Sequence, residues 1–341
     1  MQASNGATKR LHGRRRCVAG LLAALIGIAG GNVPAASAAT TIKLGHLQAP
    51  ANHQQQAALR FAELVTQKTK GQYEVKVFPS AQLGSARDML EAVRQGNLEM
   101  TVFGSDLLES ILPAMGALGL PYIWDREKAH KLLSGDVGRE LSEKFLETTG
   151  VRIVAWGDLG EQSMLATKTK IRVPEDLKGL KMRVPEVPST VAAFRVWGAN
   201  PTVITFAEVY NALQTGVVDG AVMPPDLMVS SRLYEVAKQL SLTRHLFLPL
   251  PVMISEKFLK AQPAEVQKAI LDSAREAYEV YDRELYLKVS AQAADQMKAK
   301  GVTITEPDRE AFRKMVPVVW KEFAEKVPAA APIIKAIQEA K

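Results

Sequence analysis

One arginine stands out as a residue placed to bind an anion. The segment LKGLKMRVP (177–185) has the pattern of a turn, a short apolar strand and a proline stop, with Arg183 at the end of the strand. Arginine is costly to bury, so an arginine where a strand runs out into a loop needs a fixed anionic partner. That partner is a ligand carboxylate or a neighbouring Asp or Glu, unless the strand end is simply solvated. Spacing alone does not separate these alternatives.

A second segment supports a ligand site. FAEVYNALQTGVVDG (206–220) reads as a short helix that ends at Gly216, followed by an apolar strand, Val217–Val218, that leads into Asp219-Gly220. Ligands bind at the ends of strands in open α/β sheets. The two segments together predict a carboxylate-binding cleft.

The sequence after residue 38 contains almost no catalytic motif. HExxH, a P-loop, a strand–GxGxxG–helix unit and a GxSxG elbow are all absent after residue 38. Glu161 and Glu208 can be imagined as an acid/base pair, although solvated glutamates are the commoner explanation. His53 precedes the first predicted helix, where it either caps the helix or lines the cleft. The other histidines lack metal-ligand spacing and are interpreted as capping or packing residues: His46, His130 and His245. We therefore predict no enzyme activity, no cofactor and no metal.

The first 38 residues have the pattern of an export signal. Five basic residues precede the apolar run Val18–Ala29, and Ala36-Ser37-Ala38 supplies the small residues that a signal peptidase needs. The run is too short and too rich in glycine for a membrane span, which needs ~20 apolar residues. We predict a signal peptide over 1–38, cleaved near Ala38, with a retained N-terminal anchor as the alternative. The pattern does not decide between the Sec and twin-arginine routes.

The charge of the chain changes once this segment is removed. The 341 residues include 43 basic and 36 acidic ones, which gives a net charge of +7. Without the five basic residues of the signal, 38 basic residues face 36 acidic ones, and the resulting +2 removes the main argument for nucleic-acid binding. Cys17, the only cysteine, precedes the apolar run, so we expect neither a lipid anchor nor a disulfide in the mature chain.

The remaining residues alternate between strand and helix patterns. Roughly 300 residues exceed what one core usually holds, so two lobes are expected. The β-α-β-α order predicts a largely parallel sheet with helices on both faces. The predicted strands are 41–46, 73–77, 100–103, 151–156, 164–167, 180–184, 217–223 and 247–254. The predicted helices are 55–66, 86–95, 137–147, 189–197, 206–215 and a long one over 263–299, whose apolar stripe is Ile270, Ala274, Ala277, Tyr278 and Tyr281.

Several segments carry a family resemblance. LKGLKMRVP, GANPTVITFAEVYNALQTGVVDG (198–220), LYEVAKQLSLTRH (233–245) and VFPSAQLGSARDMLEAVRQGNLEM (77–100) resemble the solute-binding subunits of TRAP (tripartite ATP-independent periplasmic) transporters of the DctP type. The resemblance extends from about Thr41 to Thr305. No single piece is as specific as a metal-ligand motif, but the pieces occur in the family's order.

The resemblance implies a two-lobed α/β periplasmic binding protein fold of mostly parallel sheets flanked by helices. The first lobe would comprise 41–160 plus 249–288, and the second 161–248 plus 289–341. The ligand cleft would lie between the lobes, and strands that cross between them would form a hinge. The long helix would span both lobes, whereas the bare sequence permits an ordinary long surface helix.

The resemblance also assigns roles in the cleft. Arg183 would hold the ligand carboxylate, because its fork donates two parallel charge-assisted hydrogen bonds that lysine cannot reproduce. Phe206 would pack against the ligand, or serve as a core residue that opens a helix. Gln162, preceded by Glu161, would make a polar ligand contact, or lie in a plain exposed loop. The predicted ligand-binding residues are Arg183, Phe206, Gln162, Glu161, Met223 and Leu47.

Departures from the family pattern bear on the ligand. Val222 replaces an acid that coordinates a cation in keto-acid-binding members, and Met223 replaces an asparagine that contacts the substrate in sialic-acid-binding members. Those members also carry an arginine at the position of Ser163 and acids near Ser85 and Gly104. Sialic acid would leave hydrogen bonds unmade here, at ~1–3 kcal/mol for each buried unpaired group. We expect a monocarboxylate with an apolar or aromatic part, bound without a metal.

The function expected from these patterns is that of a soluble periplasmic receptor. It would bind an organic acid between two closing lobes and deliver it to a TRAP-type permease driven by an ion gradient. It would not be embedded in the membrane and would not bind nucleic acid. The alternatives are a binding protein of an ABC importer or sensor kinase, and a periplasmic hydrolase or lyase that uses Glu161 or His53.

Overall fold

The computed structural model describes residues 39–340, and the strands in this part of the chain form one mixed sheet. They are β1 (Thr40–His46), β2 (Tyr73–Phe78), β3 (Met100–Val102), β4 (Val151–Ala166), β5 (Lys181–Val184), β6 (Asn200–Val203), β7 (Gly220–Met223), β8 (Gln239–Ser255) and β9 (Thr303–Thr305). Their order is β2-β1-β3-β8-β4-β7-β5-β6, and β9 pairs with β8. The signal peptide predicted over 1–38 lies outside the described residues.

Helices separate most of the strands along the chain, as expected of an α/β fold. They are α1 (His53–Lys68), α2 (Ala86–Gln95), α3 (Arg126–Leu133), α4 (Asp136–Thr149), α5 (Pro188–Val196), α6 (Val209–Gln214), α7 (Pro225–Ser230), α8 (Glu256–Lys260), α9 (Ala264–Ala274), α10 (Arg283–Ala299), α11 (Arg309–Lys314), α12 (Pro317–Lys326) and α13 (Ala331–Glu339). Short 3₁₀ turns at Ser105–Leu108, Pro113–Gly119 and Phe206–Glu208 contribute to the region around the site. Within residues 39–340 no helix is long and apolar enough to cross a membrane.

Two groups of parallel strands are joined by antiparallel ones. β1 lies parallel to β2 and β3, and β5 lies parallel to β6 and β7. β8 runs antiparallel to β3 and β4, and β4 runs antiparallel to β7. The carboxyl ends of β1 and β3 therefore belong to one parallel group and the carboxyl end of β5 to the other. The predicted bounds of two lobes, 41–160 plus 249–288 and 161–248 plus 289–341, stay a prediction.

The long strands β4 and β8 correct the predicted strand bounds. The sequence patterns predicted separate strands at 151–156 and 164–167 and a strand interrupted by prolines at 247–254. Instead, β4 pairs with β8 from Val151 opposite Ser255 to Ala166 opposite Gln239. Small and polar residues in the middle of β4 hid the continuity, because they break the apolar pattern although they are buried. The pairing has three register shifts, between Ile153 and Ala155, Asp158 and Gly160, and Gln162 and Met164.

The segment after α6 also differs from the prediction. Val217–Val218 was expected to be a strand, but β7 starts only at Gly220. Val217 is 52% exposed, whereas the carboxylate of Asp219 accepts the backbone N–H of Lys181 at 2.9 Å. This contact holds 217–219 as a connection beside β5. The β-branched residues made the segment look like a strand, but its backbone hydrogen bonds go to a turn and a strand end.

The predicted long helix exists, with one irregular part. α9 and α10 are joined without a break by a π-helical segment, Arg275–Asp282. Ile270, Ala274, Ala277 and Tyr278 are buried as predicted. The prediction for Tyr281 was wrong, since this residue is 37% exposed. A π-helical turn contains more residues than an α-helical turn, so the 3.6-residue period used for the prediction no longer applies there.

Candidate functional site

A cavity of about 860 Å³ lies beside the carboxyl ends of β1, β3 and β5. Its walls come from the segment after β1, the N-terminus of α2, the 3₁₀ turn after β3, the end of β5 and the segment that leads into α6. The cavity is therefore bounded by both groups of parallel strands, at the strand ends where α/β sheets bind ligands. Three of the predicted site residues line it together: Leu47, Arg183 and Phe206.

Arg183 lines the cavity and lies on β5, a strand with a neighbouring strand on each side. β5 lies between β6 and β7, which places Arg183 opposite Thr202 on one side and Ala221 on the other. Its side chain is buried, with the residue 5% exposed, and its Nε donates to the carbonyl oxygen of Ile204 at 2.8 Å. Within residues 39–340 it forms no ion pair at 4.0 Å or less. The geometry therefore removes two alternatives for Arg183, the close salt bridge and the solvated strand end.

The electrostatics of Arg183 are those of a cation without a close counter-ion. Burial lowers the pKa of Arg183 to about 10, because the charged guanidinium loses its hydration. The negative charge of Asp106 opposes this change from beyond ion-pair distance. At neutral pH the guanidinium still carries its proton. The site thus offers a buried positive charge that gains free energy when an anion reaches it.

The rest of the cavity wall is partly apolar and partly polar. Val203 and Val217 are 50% and 52% exposed and line the cavity, which explains why these large apolar side chains are open to solvent. Phe206 and Leu47 line both this cavity and a second one of about 470 Å³. The polar or charged lining residues are Ser85, Arg87, Ser110, Glu186, Thr205, Glu208, Asn211 and Thr215. Such a wall can bind both the hydroxyl groups and the carbon skeleton of a small molecule.

Three other predicted site residues lie outside this cavity. Gln162 and Glu161 are in β4, opposite Leu246 and Phe247 of β8. The backbone N–H of Glu161 donates to the Tyr286 hydroxyl at 2.9 Å. Met223, the last residue of β7, is 3% exposed. The structure does not bring these residues together with Arg183, and their ligand roles stay predictions.

Glu161 and Glu208 do not form an acid/base pair. The Glu161 carboxylate lies 3.9 Å from Nε of Arg244. Glu208 instead lines the cavity and accepts a hydrogen bond from the Thr205 hydroxyl at 2.6 Å. Within residues 39–340 no group of three or more His, Cys, Asp or Glu side chains is placed to hold a metal ion.

The interpretation of His53 as a helix cap or cleft residue was wrong. Asn52 caps α1, because its side chain accepts the N–H of Gln54. His53 is buried, with Nδ1 2.8 Å from Oδ1 of Asp282 and Nε2 3.4 Å from Oδ2 of Asp226. Burial by itself would lower the pKa of His53, but the two carboxylates raise it to about 10. His53 is thus the cation of a buried structural cluster, which its position in the sequence did not reveal.

The sequence patterns did not reveal two buried acidic residues, of which Asp106 acts on Arg183. Asp106 and Glu109 belong to the turn after β3 and are each 6% exposed. Burial raises the pKa of Asp106 to about 6 and that of Glu109 to about 7. The Glu109 carboxylate accepts the hydroxyl and the N–H of Ser189 at the start of α5. One signal was available, since both acids follow the carboxyl end of a predicted parallel strand.

The sequence of the chain matches a known protein family. The family model for DctP, bacterial extracellular solute-binding protein, family 7, matches residues 44–326. The 2,3-diketo-L-gulonate-binding periplasmic protein YiaO of Escherichia coli (strain K12) is 36% identical over 305 residues, which are 89% of this chain and 92% of that protein.

Solved structures show the same fold. A TRAP periplasmic solute binding protein from Roseobacter denitrificans with bound β-D-glucuronate has a TM-score of 0.85 and 31% identity, and covers 88% of this chain and 100% of its own. The protein from Sulfitobacter sp. NAS-14.1 with bound β-D-galacturonate has a TM-score of 0.85 and 28% identity with the same coverage. The predicted α/β fold class is confirmed by these similarities. The chain belongs to the DctP family of bacterial extracellular solute-binding proteins, the solute-binding proteins of TRAP transporters.

Proposed function

We propose that this protein is a periplasmic receptor for a small monocarboxylate, most simply a sugar acid, which it binds without chemical change. The observation that carries the proposal is Arg183, a buried guanidinium that lines a cavity and has no carboxylate partner within 4.0 Å among residues 39–340. A ligand carboxylate supplies the missing partner. Because the guanidinium is planar and charged, it can hold that carboxylate through charge-assisted hydrogen bonds.

The ligand class is inferred from the relatives and from the cavity wall. The proteins compared above are named for 2,3-diketo-L-gulonate or contain glucuronate or galacturonate, which are all hydroxylated acids. The hydroxyl, amide and carboxylate groups in the wall provide partners for such hydroxyl groups, while Val203, Val217 and Phe206 can cover the carbon skeleton. The residues Val222 and Met223 favour an acid with an apolar body, so a ligand screen includes both kinds of acid.

Delivery follows from the same proposal. An open form admits the acid, and contacts from two lobes with the predicted bounds favour a closed form that a TRAP permease recognises. Closure would also bring Gln162, Glu161 and Met223 into contact with the ligand, although these residues lie outside the cavity in the present structure. Uptake of the bound acid into proteoliposomes that carry the two permease subunits, driven by an ion gradient and without ATP, tests this step and separates it from an ABC importer.

Ligand binding is tested first by a thermal-shift screen of sugar acids, other monocarboxylates and dicarboxylates. A ligand at 100 times its Kd adds ~2.7 kcal/mol to the free energy of unfolding, which a melting curve detects. Incubation of the bound acid with the protein, followed by mass spectrometry, should recover it unchanged. Turnover would favour the periplasmic enzyme instead.

Arg183→Ala then tests the site itself by titration calorimetry. Removing one partner of a buried ion pair costs ~3–5 kcal/mol, so affinity should fall about 10²- to 10³-fold or more. Arg183→Lys should recover only part of the loss, because a point charge cannot form both fork bonds. Arg195→Ala is the matched control, since Arg195 is an exposed arginine of α5 outside the cavity lining. Affinity of Arg183→Ala equal to that of the wild type would end the proposal.

A further inference from the structure

Asp106 is a buried carboxylate beside the proposed carboxylate site. It lies in the 3₁₀ turn after β3, and the next residue, Leu107, lines the cavity. Its packing is close, because a Cβ added to Gly104 would meet Oδ1 of Asp106 at 2.5 Å. Its Cβ and the Ser189 hydroxyl both lie within 3.6 Å of the position where Gly119 would carry a side chain. Asp106 is therefore enclosed between the turn after β3 and the start of α5.

Few charged groups face Asp106 from the surrounding elements. Arg183 acts on it from β5, and its positive charge stabilises the ionised form of Asp106. Glu109, at the end of the same turn, is the other titratable group near it. The remaining neighbours do not titrate: Gly104, Gly119 and Ser189. The pKa of Asp106 consequently depends on whether the positive charge of Arg183 is neutralised by another anion.

We propose that Asp106 is a specificity-determining residue that makes the site select singly charged acids and couples their binding to the uptake of one proton. This inference rests on the proposed function of Arg183. A bound carboxylate neutralises Arg183 and adds a negative charge near Asp106. The ionised carboxylate of Asp106 then repels the ligand carboxylate. When Asp106 takes up a proton from solvent, its charge and this repulsion are removed. A second carboxylate on the ligand would add a further negative charge near Asp106, in a cavity lined by the acids Glu186 and Glu208 and by the cation Arg87.

The coupling has a definite direction. Asp106 of the free protein, whose pKa is about 6, is protonated below that pH, so affinity should not vary with pH there. The ligand raises the pKa of Asp106 further. At a pH between the Asp106 pKa of the free protein and that of the complex, ligand binding is accompanied by the uptake of as much as one proton. In this range the affinity for the ligand falls by up to tenfold for each unit of rising pH. Above the higher value affinity becomes constant again.

The first experiment needs no ligand. The titration of Asp106 is followed by NMR of the ¹³C-labelled side-chain carboxyl group in the wild type and in Arg183→Gln. Loss of the positive charge should move the midpoint to higher pH, whereas an unchanged midpoint overturns the coupling. If Arg183→Gln does not fold, the Asp106 titration is measured on the wild type with saturating D-glucuronate, whose carboxylate neutralises Arg183. A midpoint at higher pH again supports the coupling, and an unchanged midpoint overturns it.

The second experiment is titration calorimetry with D-glucuronate and with D-glucarate, which has the same carbon chain and a second carboxylate. Heats measured in buffers of different ionisation enthalpy should show proton uptake at pH 7. Asp106→Asn should abolish this uptake, bind D-glucuronate at least tenfold more tightly than the wild type at pH 8, and discriminate less against D-glucarate. Glu109→Gln is the control and should retain the uptake.

The outcomes separate the two proposals. Uptake that persists in Asp106→Asn, or disappears in Glu109→Gln alone, overturns the role of Asp106 while the function of Arg183 stands. If no acid in the screen binds, the proposed function and the specificity role fail together, and the carboxyl titration still reports separately on the coupling of Asp106 and Arg183.

Discussion

His53 provides the sharpest test of how the described residues are held together. Its ring lies between two carboxylates, 2.8 Å from Asp282 and 3.4 Å from Asp226, and the His53 and Asp282 side chains are fully buried. His53 starts α1, Asp282 ends the π-helical segment and Asp226 belongs to α7. One protonated ring therefore joins three elements that are distant in sequence. His53→Leu removes the cation and leaves both carboxylates buried without it.

The expected loss follows from the burial of the cluster. Breaking a buried ion pair from one side costs ~3–5 kcal/mol. For about 300 ordered residues, with an unfolding entropy of about 2.1 cal/mol/K per residue, this corresponds to a Tm lower by roughly 5–8 °C. His46→Leu is the matched control, because His46 is also buried but its ring bonds to neutral amide groups, with Nε2 2.7 Å from the side-chain oxygen of Gln55. That variant should lose ~1–2 kcal/mol.

The pH dependence gives a second readout. The pKa of His53 is about 10 in the folded protein and 6.5 when unperturbed. A pKa raised by folding means that the stabilisation is complete below pH 6.5 and is lost as the pH rises through 10. The difference in unfolding free energy between the wild type and His53→Leu should therefore be largest near pH 6 and shrink towards pH 10.

Urea unfolding at pH 6, 8 and 10, with circular dichroism as the signal, measures both effects. Equal losses for His53→Leu and His46→Leu, or a difference from the wild type that does not change between pH 6 and pH 10, would refute the buried ion-pair cluster. A double variant, His53→Leu with Asp282→Leu, should lose less than the single one, since an apolar pair does not leave the Asp282 charge uncompensated.

Two further predictions concern local structure. Gly160→Ala should lower the free energy of unfolding by at least ~2 kcal/mol in urea melts, because Gly160 has φ +124° and an added Cβ would lie 2.7 Å from Tyr286. Gly150→Ala is the control. Gly150 has φ +70° and no atom within 4 Å of an added Cβ, so this variant should lose only about 1 kcal/mol. Glu109→Gln should gain stability relative to the wild type as the pH rises from 4.5 to 8, since the folded-state pKa of Glu109 is raised to about 7 and ionisation in that window costs the wild type stability. Parallel pH curves for Glu109→Gln and the wild type would contradict this reasoning.

Much of the fold can be read from local patterns. Periodic patterns predicted a strand over 73–77 and a helix over 86–95, which match β2 and α2 almost to the residue, because periodicity is a property of neighbouring residues. The order of the segments led to the DctP family, which the comparisons confirm. Arg183 was identified for a local reason as well, since a cation at the end of an apolar strand is conspicuous in any sequence.

The failures share a physical cause. Val217–Val218 is not in a strand although its residues favour one, because Asp219 bonds to the backbone of Lys181. Gly157 and Gly160 look like breaks in a strand, yet both lie within the sixteen residues of β4. In each case hydrogen bonds to residues far along the chain override local preference, and such partners cannot be read from spacing.

The charges of the site were decided only by tertiary structure. The amino-acid sequence by itself determines which groups can ionise and where the strands that carry them end. Whether Arg183 has a carboxylate partner, whether Asp106 is close enough to feel its charge, and whether His53 is a cap or a buried cation depend on distances between residues tens to hundreds of positions apart. Electrostatic energy depends on distance and burial rather than on sequence order, so these properties exist only once the chain has folded.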